Sequence, residues 1–438
     1  MIATLDATIR SSVIEFIQPN TKHIYIGYSG GLDSSVLLHV IANSDFLKQH
    51  NIEISAVHVN HKLHKDSSTW VQHCKEFADS LQINFDIHTV KEDVPINNIE
   101  AWAREQRYEG FNQVMTQPAD LLLTAHHQQD QSETLLLRLL RGAGVTGLSA
   151  MQACRQFANG LHIRPLLTIS KTQLHEYAKA HKLQWIEDSS NDDLHFSRNY
   201  LRHKLMPVLQ KKWPMANSML ARSAELLQES DKLLESYAAL LLEKVLNKTF
   251  HALYIAKLKQ FDNATRKLIL KHWLSSQYNL QLTYKNFAYI ENHILAAQVD
   301  AEPLLQIGNM QLRRYQNHLY CVPLTTETFA YNIKWNGEKA LQVPGYNETL
   351  TKEYLQAQGL NIAKLDWYDI QVCSRKHFTQ ARCQPYDRAH SQTLKKCLQE
   401  AGVPAWLRYH LPVICNGDEI CMVVDAFVCK GYNAQKLN

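Results

Sequence analysis

The sequence predicts an α/β protein with a doubly wound parallel sheet in its first region, then a mostly helical middle region and a small α+β region. Three observations favour this class. Short β-branched runs alternate with longer amphipathic segments along the first 215 residues, which is the pattern of βαβ units. Glycine-rich or histidine-rich stretches follow three of the short runs. Pro207 and Pro214 then mark a break before long helical periodicity begins.

The alternation defines four strands and the helices between them. The strands are predicted at 23–29, 52–61, 83–90 and 119–127, and the helices at 34–43, 66–82 and 98–117, with a fourth helix that begins near Asp130 and runs to Arg141. Parallel pairing with right-handed crossovers brings the carboxyl ends of such strands to one edge of the sheet. The stretches SGGLDS, HVNH and TAHHQQD are therefore expected to lie together at a ligand crevice.

The first strand ends in a glycine turn that has the outline of an anion site. Gly30 and Gly31 let the backbone approach a ligand closely, and the free N–H groups of the following helix would point at it. No Gly-Lys-Ser/Thr sequence follows, so ordinary Walker-loop chemistry is not predicted. A glycine turn without a ligand is the alternative. The nucleotide-binding candidates are Ser29, Gly30, Gly31, Leu32, Asp33, Ser34, Ser35 and His58.

An acidic pair opens the helix after the fourth strand. Asp130 and Glu133 lie one turn apart, on or beside the face that carries Thr134 and Arg141. Such a pair can be no more than a cap and a dipole partner. Its position directly after a strand end favours a functional site.

Two other patterns near this helix are not interpreted as sites. Adjacent His126 and His127 lack the H-E-x-x-H spacing of a zinc site. The stretch GAGVTG, from Gly142 to Gly147, satisfies the G-x-G-x-x-G pattern of dinucleotide binding. It follows a helix and not a strand, so it predicts helix termination.

The composition is that of a globular protein without extreme charge. Of the 438 residues 45% are hydrophobic and 20% charged, and the net charge is +4, so a nucleic-acid partner would need a local basic patch. The nine cysteines form no Cys-x-x-Cys pair, which favours reduced thiols in a cytoplasmic protein over disulfides or zinc ribbons. Neither a signal peptide nor a membrane span is predicted.

Several of these motifs are similar to those of a known family. SGGLDS resembles the PP-loop of the N-type ATP pyrophosphatases, which have an adenine nucleotide alpha hydrolase-like fold and cleave ATP between its α and β phosphates. The stretches EAWAREQRYEGF, TAHHQQDQSETLLLRLLRGAGVTGLSAM and WIEDSSNDDLHFSRNYLRHKLMPVL resemble the tRNA(Ile)-lysidine synthases. The resemblance runs from Ile24 to Leu209 with little interruption and is weaker beyond.

The resemblance implies an ATP-dependent ligase that modifies tRNA. The loop would hold the leaving pyrophosphate while the α-phosphate passes to O2 of the wobble cytidine in the CAU anticodon of tRNA(Ile). The ε-amine of free L-lysine would then displace AMP from C2. The lysidine that results pairs with A, so the codon read changes from AUG to AUA. Mg²⁺ would accompany ATP.

The resemblance also implies roles for individual residues. Asp33, Asp130 and Glu133 would be catalytic, with the acidic pair facing lysine and Asp33 holding Mg²⁺. Guanidinium groups bind phosphate in a forked geometry, so arginines near the strand ends are candidates for phosphate or tRNA contacts, against the alternative of a solvated helix face. The candidates for substrate and tRNA binding in this region are Arg104, Arg107, His126, Arg138, Arg141, Arg198 and Arg202.

Two tRNA-binding regions are predicted after the catalytic region, which takes up residues 1–215. Residues 216–325 read as a mostly helical region that ends in a strand pair and would hold the tRNA stem. Residues 326–438 read as a small α+β recognition region, with a type I′ hairpin at Asn416-Gly417.

One stretch of the last region has a composition that suits RNA. Lys395, Lys396 and Arg408 lie near Trp406 in the sequence, a mixture of cations and an aromatic ring. A solvated helix with a buried tryptophan explains the same stretch nearly as well. A homodimer is left open, and no membrane partner is expected.

Two alternative functions also stay open. A tRNA thiolase shares the loop and the adenylation step, but such enzymes generally use paired cysteines, and Cys74 and Cys154 stand alone. A nucleotide-binding sensor without catalysis is the second alternative. The acidic pair and the long C-terminal extension count against it.

Overall fold

The computed structural model divides the chain into two compact units, Met1–Leu233 and Leu234–Asn438. The described residues are 2–63, 66–95, 98–188, 192–298, 301, 303–324, 329–346, 348–378 and 380–434. The predicted boundary between residues 325 and 326 lies outside them, and the division into three regions stays a prediction.

Helices and strands alternate along the first unit, as the sequence predicts. In chain order the elements are α1 (Ile2–Ile14), β1 (His23–Gly27), α2 (Leu32–Ala42), α3 (Asp45–Gln49), β2 (Glu53–Asn60), α4 (Ser67–Ser80), β3 (Asn84–Thr89), α5 (Ile99–Val114), β4 (Leu121–Leu123), α6 (Gln128–Leu140), α7 (Val145–Leu148), β5 (Cys154–Phe157), β6 (Gly160–Ile163), α8 (Lys171–Ala180), α9 (Ser197–Tyr200) and α10 (Met206–Lys212). The next helix, α11 (Ala216–Val245), contains the boundary between the two units.

One six-stranded sheet organises this unit, in the order β3-β2-β1-β4-β6-β5. The pairs β1–β2, β2–β3, β1–β4 and β4–β6 are parallel, and only the edge pair β5–β6 is antiparallel. The strand order reverses between β1 and β4. Ligands bind at the carboxyl ends of the strands at such a switch point, so the fold itself positions the site.

The predicted doubly wound fold is confirmed, with differences at the ends of its strands. All four predicted strands and the helices between them form. The fourth strand was predicted at 119–127 but ends at Leu123, because the chain leaves the sheet to begin α6. The hairpin of β5 and β6 and the helix α1 were not predicted.

The helix that follows the glycine turn is buried on all sides. Val36, Leu37, Leu38 and Val40 are fully buried in the largest apolar cluster of the unit. A helix that is hydrophobic all round needs partners on each face, and α2 has β1, α1 and α8 as neighbours. The N-terminus of α2 is therefore held rigidly at the crevice.

The end of α6 confirms that GAGVTG terminates a helix. Gly142 has φ +73°. Its N–H donates to the Leu139 carbonyl at 3.0 Å, and the Ala143 N–H donates to the Arg138 carbonyl at 3.0 Å. These two bonds are those of a Schellman motif.

The segment from Ser197 to Lys212 is continuous helix with a π turn at Leu201–Leu205. Pro207 lies at the start of α10 and does not interrupt this segment. The predicted break before the long helix falls at residues 213–215, beside Pro214. The helix ends at Trp213, which has φ −127° and ψ 89°.

The second unit contains more sheet than the sequence predicts. Its elements are β7 (Leu246–Asn247), β8 (Ala252–Tyr254), α12 (Ile255–Leu258), α13 (Asn263–Tyr278), α14 (Tyr284–Tyr289), a π turn (Ile290–Leu295), β9 (Leu304–Ile307), β10 (Met310–Tyr315), β11 (His318–Pro323), β12 (Asn332–Lys334), β13 (Leu341–Gln342), β14 (Thr349–Leu350), α15 (Lys352–Ala357), two 3-10 turns (Ile362–Lys364 and Arg375–His377), β15 (Ile370–Cys373), β16 (Arg382–Cys383), β17 (Gln392–Thr393), α16 (Leu394–Glu400), β18 (Val413–Asn416), β19 (Glu419–Val423) and β20 (Phe427–Val428).

Two five-stranded sheets dominate this unit. The expected strand pair near residue 310 is part of a sheet in the order β7-β8-β11-β10-β9, and the other sheet has the order β12-β15-β18-β19-β20. Within the part of the chain that the structure describes, no helix is long and apolar enough to cross a bilayer.

The predicted hairpin between β18 and β19 forms, with a different turn. Asn416 pairs with Glu419, so the two loop residues are Gly417 and Asp418. Gly417 has φ +58°, and Asp418 is not among the described residues with positive φ. A left-handed glycine at the first loop position alone is the pattern of a type II′ turn, not of type I′.

Candidate active site

The site is a cavity of about 620 Å³ at the switch point between β1 and β4. Its wall combines the glycine turn, the end of β2, one face of α5 and the segment after β4. Among its lining residues are Ser29, Gly31, Asp33, Ser34, His58, Asn60, His61, Arg104, Arg107, Thr124 and His126. The three strand ends that the sequence places at a crevice therefore do meet there.

Gly30 is the residue on which the shape of the turn depends. Its φ is +83°, and an added Cβ would lie 2.7 Å from Ile186 Cδ1 and 2.8 Å from Cys74 Sγ. Its carbonyl accepts a hydrogen bond from the Ile186 N–H at 2.9 Å. Gly31 is the N-cap of α2. The first backbone N–H groups of α2 therefore have no acceptor within the helix, and they lie at the end of α2 that borders the cavity.

The serines of the turn divide into two groups. Ser29 and Ser34 line the cavity, and their hydroxyl oxygens lie 3.1 Å apart, while the Ser34 hydroxyl also donates to the Gly31 carbonyl at 3.0 Å. Ser35 is fully buried, and its hydroxyl donates to the Gly31 carbonyl at 3.0 Å. The Leu32 side chain is also buried. Ser35 and Leu32 therefore shape the turn, and any contact of Leu32 with a nucleotide is through its backbone N–H.

A lysine far away in the sequence reaches the carboxylate of the turn. Lys171 Nζ donates to both oxygens of Asp33 at 2.8 Å. His127 Nε2 lies 3.6 Å from Asp33 Oδ2 and 3.6 Å from Asp130 Oδ2. The imidazole of His127 thus connects the glycine turn to the acidic pair.

The acidic pair is held by two arginines that the sequence also predicts as site residues. Arg202 Nε and Nη2 donate to the two oxygens of Glu133 at 2.8 and 2.9 Å, and Nη2 also donates to Asp130 Oδ1 at 3.2 Å. Arg198 Nε lies 3.4 Å from Glu133 Oε2, and its Nη2 donates to Thr134 at 2.8 Å. We call these four charged residues, Asp130, Glu133, Arg198 and Arg202, the carboxylate–arginine cluster.

The two carboxylates of this cluster differ in exposure. The Glu133 side chain is 0% exposed and the Asp130 side chain 14% exposed. Burial alone would raise the pKa of Asp130, but His127, His126 and Arg198 together bring this pKa below its usual value. Asp130 is thus ionised and keeps a small exposed area, and its Oδ2 also accepts the His127 N–H at 3.0 Å in the capping box of α6, whereas Glu133 is enclosed by the arginines.

Both arginines of the cluster lie in the helical segment 197–212. Arg198 is in α9, and Arg202, four residues later, is within the π turn at Leu201–Leu205. Burial lowers the pKa of Arg202, but its hydrogen bond with Glu133 and the charge of Asp130 raise the pKa overall. π turns inside helices often occur at functional sites.

Of the remaining predicted residues of the first unit, His58 and Arg104 line the cavity, whereas Arg138 and Arg141 lie at the end of α6. His58 Nδ1 contacts the Tyr28 carbonyl at 3.0 Å and is buried, so it fixes the wall of the cavity. Arg104 lies over the Tyr108 ring at 5.0 Å. Arg138 donates to the Gly147 and Ala150 carbonyls at 2.7 and 2.8 Å, which ties α6 to the turn after it. Arg141 is exposed at the end of α6.

The predicted cations of the second unit differ in their exposure. Lys395 and Lys396 are exposed on α16. Arg408 is buried and donates to the Val403 carbonyl at 2.9 Å. Trp406 packs edge-on against Tyr320, with ring centroids 5.7 Å apart. The lysines are available to a partner, whereas the Arg408 guanidinium is used inside the unit.

Sequence reasoning missed Lys171, although the sequence carries a signal for it. Ser170 and Gln173 form a capping box that begins α8. A cation in the first turn of a helix is unfavourable to the helix dipole, so Lys171 needs a compensating partner, which is Asp33. His61 is a second cavity residue with an unusual state: its buried Nδ1 has no partner among the described residues.

Two other chemistries have little support here. Cys74 lies beneath the glycine turn, and burial raises its pKa to about 12, so it is not a reactive thiolate. Within the described residues, no group of three or more histidine, cysteine, aspartate or glutamate side chains could hold a metal. Neither sulfur transfer nor a multi-carboxylate metal centre is favoured.

The doubly wound sheet with a glycine turn between β1 and α2 has the arrangement of a PP-loop enzyme that uses ATP. The family model described as "PP-loop domain" matches residues 5–209. Models described as "TilS substrate binding domain" and "TilS substrate C-terminal domain" match residues 253–320 and 370–438.

Curated relatives give the particular family. The tRNA(Ile)-lysidine synthase of Coxiella burnetii is 37% identical over 97% of this chain and 93% of that protein. Those of Legionella pneumophila strain Lens and Serratia proteamaculans are 38% and 35% identical, over 92% and 93% of this chain and 91% and 92% of those proteins. The chain belongs to the tRNA(Ile)-lysidine synthase family, and it is an ATP-using ligase.

A solved structure is also similar to this chain. It is the U34-tRNA thiolase NcsA of Methanococcus maripaludis, with a TM-score of 0.45 and 19% identity over 52% of this chain and 78% of that chain.

Proposed function

We propose that this chain ligates free L-lysine to C2 of the wobble cytidine in the CAU anticodon of tRNA(Ile), through an adenylated cytidine. Lysidine, AMP and pyrophosphate are the products. The modified anticodon pairs with A in place of G, so it reads AUA and no longer AUG.

One observation carries this proposal beyond family membership. The glycine turn and the carboxylate–arginine cluster belong to a single connected network, because His127 Nε2 lies 3.6 Å from both Asp33 and Asp130. A site for phosphates and a site for an ammonium group therefore adjoin. A ligase that activates one substrate with ATP and then adds an amine needs both.

The first step is adenylation. The cytidine O2 attacks the α-phosphorus, a P–O bond forms, and pyrophosphate leaves with the electron pair of the α–β bridge. The N–H groups at the start of α2 and the hydroxyls of Ser29 and Ser34 are suited to hold the leaving pyrophosphate. Arg104 and Arg107, which line the same cavity, are suited to the other phosphate oxygens.

The second step is amine displacement. Lysine arrives as an ammonium with a pKa of about 10.4 and must lose a proton before its nitrogen attacks C2 and AMP leaves. We assign ammonium binding to Asp130, which is ionised and partly exposed. Glu133 holds Arg202 through two hydrogen bonds, so its role is to fix the cluster around the incoming amine.

Asp33 is the one residue to which we assign Mg²⁺ binding. Mg²⁺ in nucleotide enzymes is often held by one or two carboxylates together with substrate phosphates, and Asp33 is a partly exposed carboxylate at the head of the turn. When bound there, the ion would offset phosphate charge. Lys171 pairs with both Asp33 oxygens and supplies a positive charge at the same place.

The proposed reaction requires tRNA as the macromolecular partner. We propose that Lys395 and Lys396 contact tRNA, since both are exposed cations on one helix of the second unit. A cytoplasmic location fits a tRNA-modifying reaction. A homodimer stays a prediction.

The test is incorporation of labelled lysine. The full-length protein is incubated with a tRNA(Ile) transcript that carries CAU, labelled lysine and ATP, with a tRNA(Met) transcript as the control for the same anticodon. We expect lysine in the tRNA(Ile) together with AMP and pyrophosphate. ADP and orthophosphate as the nucleotide products, or sulfur-dependent modification, would refute the proposal.

A further inference from the structure

A buried chain of hydrogen bonds runs from β6 to the cavity. His162 lies on β6 and is fully buried. Its Nε2 contacts the Thr124 hydroxyl at 2.8 Å, and the same hydroxyl contacts His126 Nδ1 at 2.8 Å. Thr124 and His126 both line the cavity. The chain therefore ends at an imidazole that lines the cavity.

The direction of every bond in this chain is fixed by arginine. Arg155 Nε donates to His162 Nδ1 at 3.2 Å, and Arg164 Nη2 lies 3.3 Å from the same nitrogen. A guanidinium group has donors and no acceptor, so His162 Nδ1 must carry a lone pair. The proton of His162 is then on Nε2, which donates to the Thr124 oxygen.

The next two bonds follow from this one. The Thr124 oxygen has one hydrogen of its own, and within the described part of the chain its side-chain hydrogen bonds are with these two imidazoles. Because it accepts from His162, it donates to His126 Nδ1. His126 Nδ1 thus carries a lone pair, and its proton is on Nε2.

We infer that His126 is a neutral imidazole locked with its proton on Nε2, and that it donates a hydrogen bond to an oxygen acceptor of the substrates in the cavity. Thr124 and His162 are the residues that position it. The identity of the substrates rests on the proposed function. The acceptor is a phosphoryl oxygen of ATP or the carbonyl oxygen of the cytidine.

The charges around His126 keep it neutral near pH 7. Burial lowers the pKa of His126 to about 3; Asp130 on α6 opposes this, while Arg164, Arg198 and Arg104 from three other segments add to it. Burial lowers the pKa of His162 to about 2, and Arg164, Arg155 and His126 act in the same direction.

The fixed tautomer also excludes His126 as the general base for the lysine ammonium. A neutral imidazole with its lone pair bound to Thr124 has no free lone pair toward the cavity, so His126 cannot take the proton of the lysine ammonium. That proton must leave through another group or through water.

The direct test is the tautomer itself. Full-length protein labelled with ¹⁵N-histidine is studied by NMR, with His126 assigned by its loss in His126→Gln. We expect the Nε2–H form from pH 6 to 8. Thr124→Ser keeps a hydroxyl and should keep this form, whereas Thr124→Val should release it. A His126 that titrates between pH 6 and 8, or that carries its proton on Nδ1, would overturn the inference.

Activity tests the donor role. His126→Ala should slow tRNA-dependent pyrophosphate release about 10- to 100-fold, and His126→Gln, which keeps a donor, should lose much less. Weaker ATP binding of His126→Ala without tRNA assigns the acceptor to phosphate. Unchanged ATP binding with slower release assigns it to the cytidine. Equal losses of activity in the two variants would refute the role of His126 as a hydrogen-bond donor.

The NMR result needs neither tRNA nor lysine, so it tests the tautomer of His126 independently of the proposed function.

Discussion

Asp130 and Glu133 were predicted as one lysine-facing pair, and their surroundings now separate them. Asp130 is partly exposed and accepts one hydrogen bond from Arg202, whereas Glu133 is enclosed and accepts two. The i, i+3 spacing placed both on one face of a helix. It could not tell which carboxylate the arginines would enclose.

The first prediction separates the two carboxylates. Asp130→Asn removes the charge that binds the ammonium, so we expect the lysine KM to rise about tenfold or more, since a hydrogen bond to a charged group contributes about 1.5–3 kcal/mol. Glu133→Gln is the matched variant. It should lower stability more than Asp130→Asn because it weakens the bidentate pair with Arg202.

The measurements for this pair are steady-state kinetics in lysine and urea unfolding. The Glu133→Ala variant should also raise the lysine requirement while tRNA binding stays nearly intact. A lysine KM that is unchanged in both Asp130→Asn and Glu133→Ala would remove the acidic pair from the amine site.

The second prediction concerns Lys171. The side chain is 45% exposed, so its ion pair with Asp33 contributes at most about 1 kcal/mol to stability. Lys171→Ala should therefore leave the unfolding midpoint nearly unchanged. It should raise the ATP KM, because the negative charge of Asp33 beside the phosphates is no longer neutralised by the Lys171 ammonium. Lys171→Arg should restore ATP affinity. An ATP KM that is the same in all three proteins would contradict this role.

The third prediction concerns acid sensitivity. Burial holds the pKa of His162 at about 2 in the folded protein, below its value of about 6.5 when unfolded. The unfolded chain therefore binds this proton first, and the free energy of unfolding falls as the pH drops below about 6.5, by up to about 1.4 kcal/mol per pH unit.

His162→Leu removes this contribution. Between pH 7 and pH 5 the variant should lose about 2 kcal/mol less stability than the parent protein, by urea titration at each pH. Parallel losses in the two proteins would mean that His162 protonates equally well in both states.

At the scale of elements, the glycine turn and the start of α2 were predictable because their causes are local. Gly30 has a left-handed φ of +83°, and glycine adopts this conformation without strain. The π turn at Leu201–Leu205 was not predictable. One extra residue in a helical turn shifts the phase of the apolar positions that follow it, and a segment as short as 197–212 has too few of them to reveal the shift. Arg198 and Arg202 of this segment pair with Glu133 on α6.

The fourth prediction compares two left-handed glycines. Gly142→Ala should cost about 1–2 kcal/mol for the backbone alone, because nothing lies within 4 Å of an added Cβ. Gly30→Ala adds contacts of 2.7 Å with Ile186 and 2.8 Å with Cys74. We expect a larger loss of stability in urea unfolding and a loss of ATP binding for Gly30→Ala only. Normal ATP binding by Gly30→Ala would contradict the tight turn.

At the scale of the whole molecule, the second unit limits how tRNA binding can be tested. Tyr320 is almost fully buried, and Trp406 covers it together with Tyr315. Deleting residues from 326 onward should weaken tRNA binding in a salt-sensitive manner. Such a deletion would also uncover these rings, so point variants are the cleaner experiment.

The fifth prediction uses charge reversal. Lys395→Glu with Lys396→Glu should weaken tRNA binding and lower the salt slope of the binding constant by about 1–2, because phosphate contacts release counterions. Lys334→Glu with Lys339→Glu is the matched control, as both lysines are exposed in the same unit. Filter binding at several salt concentrations measures both. Equal slopes in the two double variants would argue against α16 as a tRNA contact.

The sequence by itself determined the sheet, the position of the crevice and the turn that begins α2, since each depends on periodicity or on one glycine. Only the tertiary structure decided what the charged side chains do. Lys171 and Asp33 are 138 residues apart, Arg202 and Glu133 are 69 apart, and His162 and Thr124 are 38 apart. Contacts between such distant residues depend on how the elements pack, and no local pattern in the chain encodes that packing.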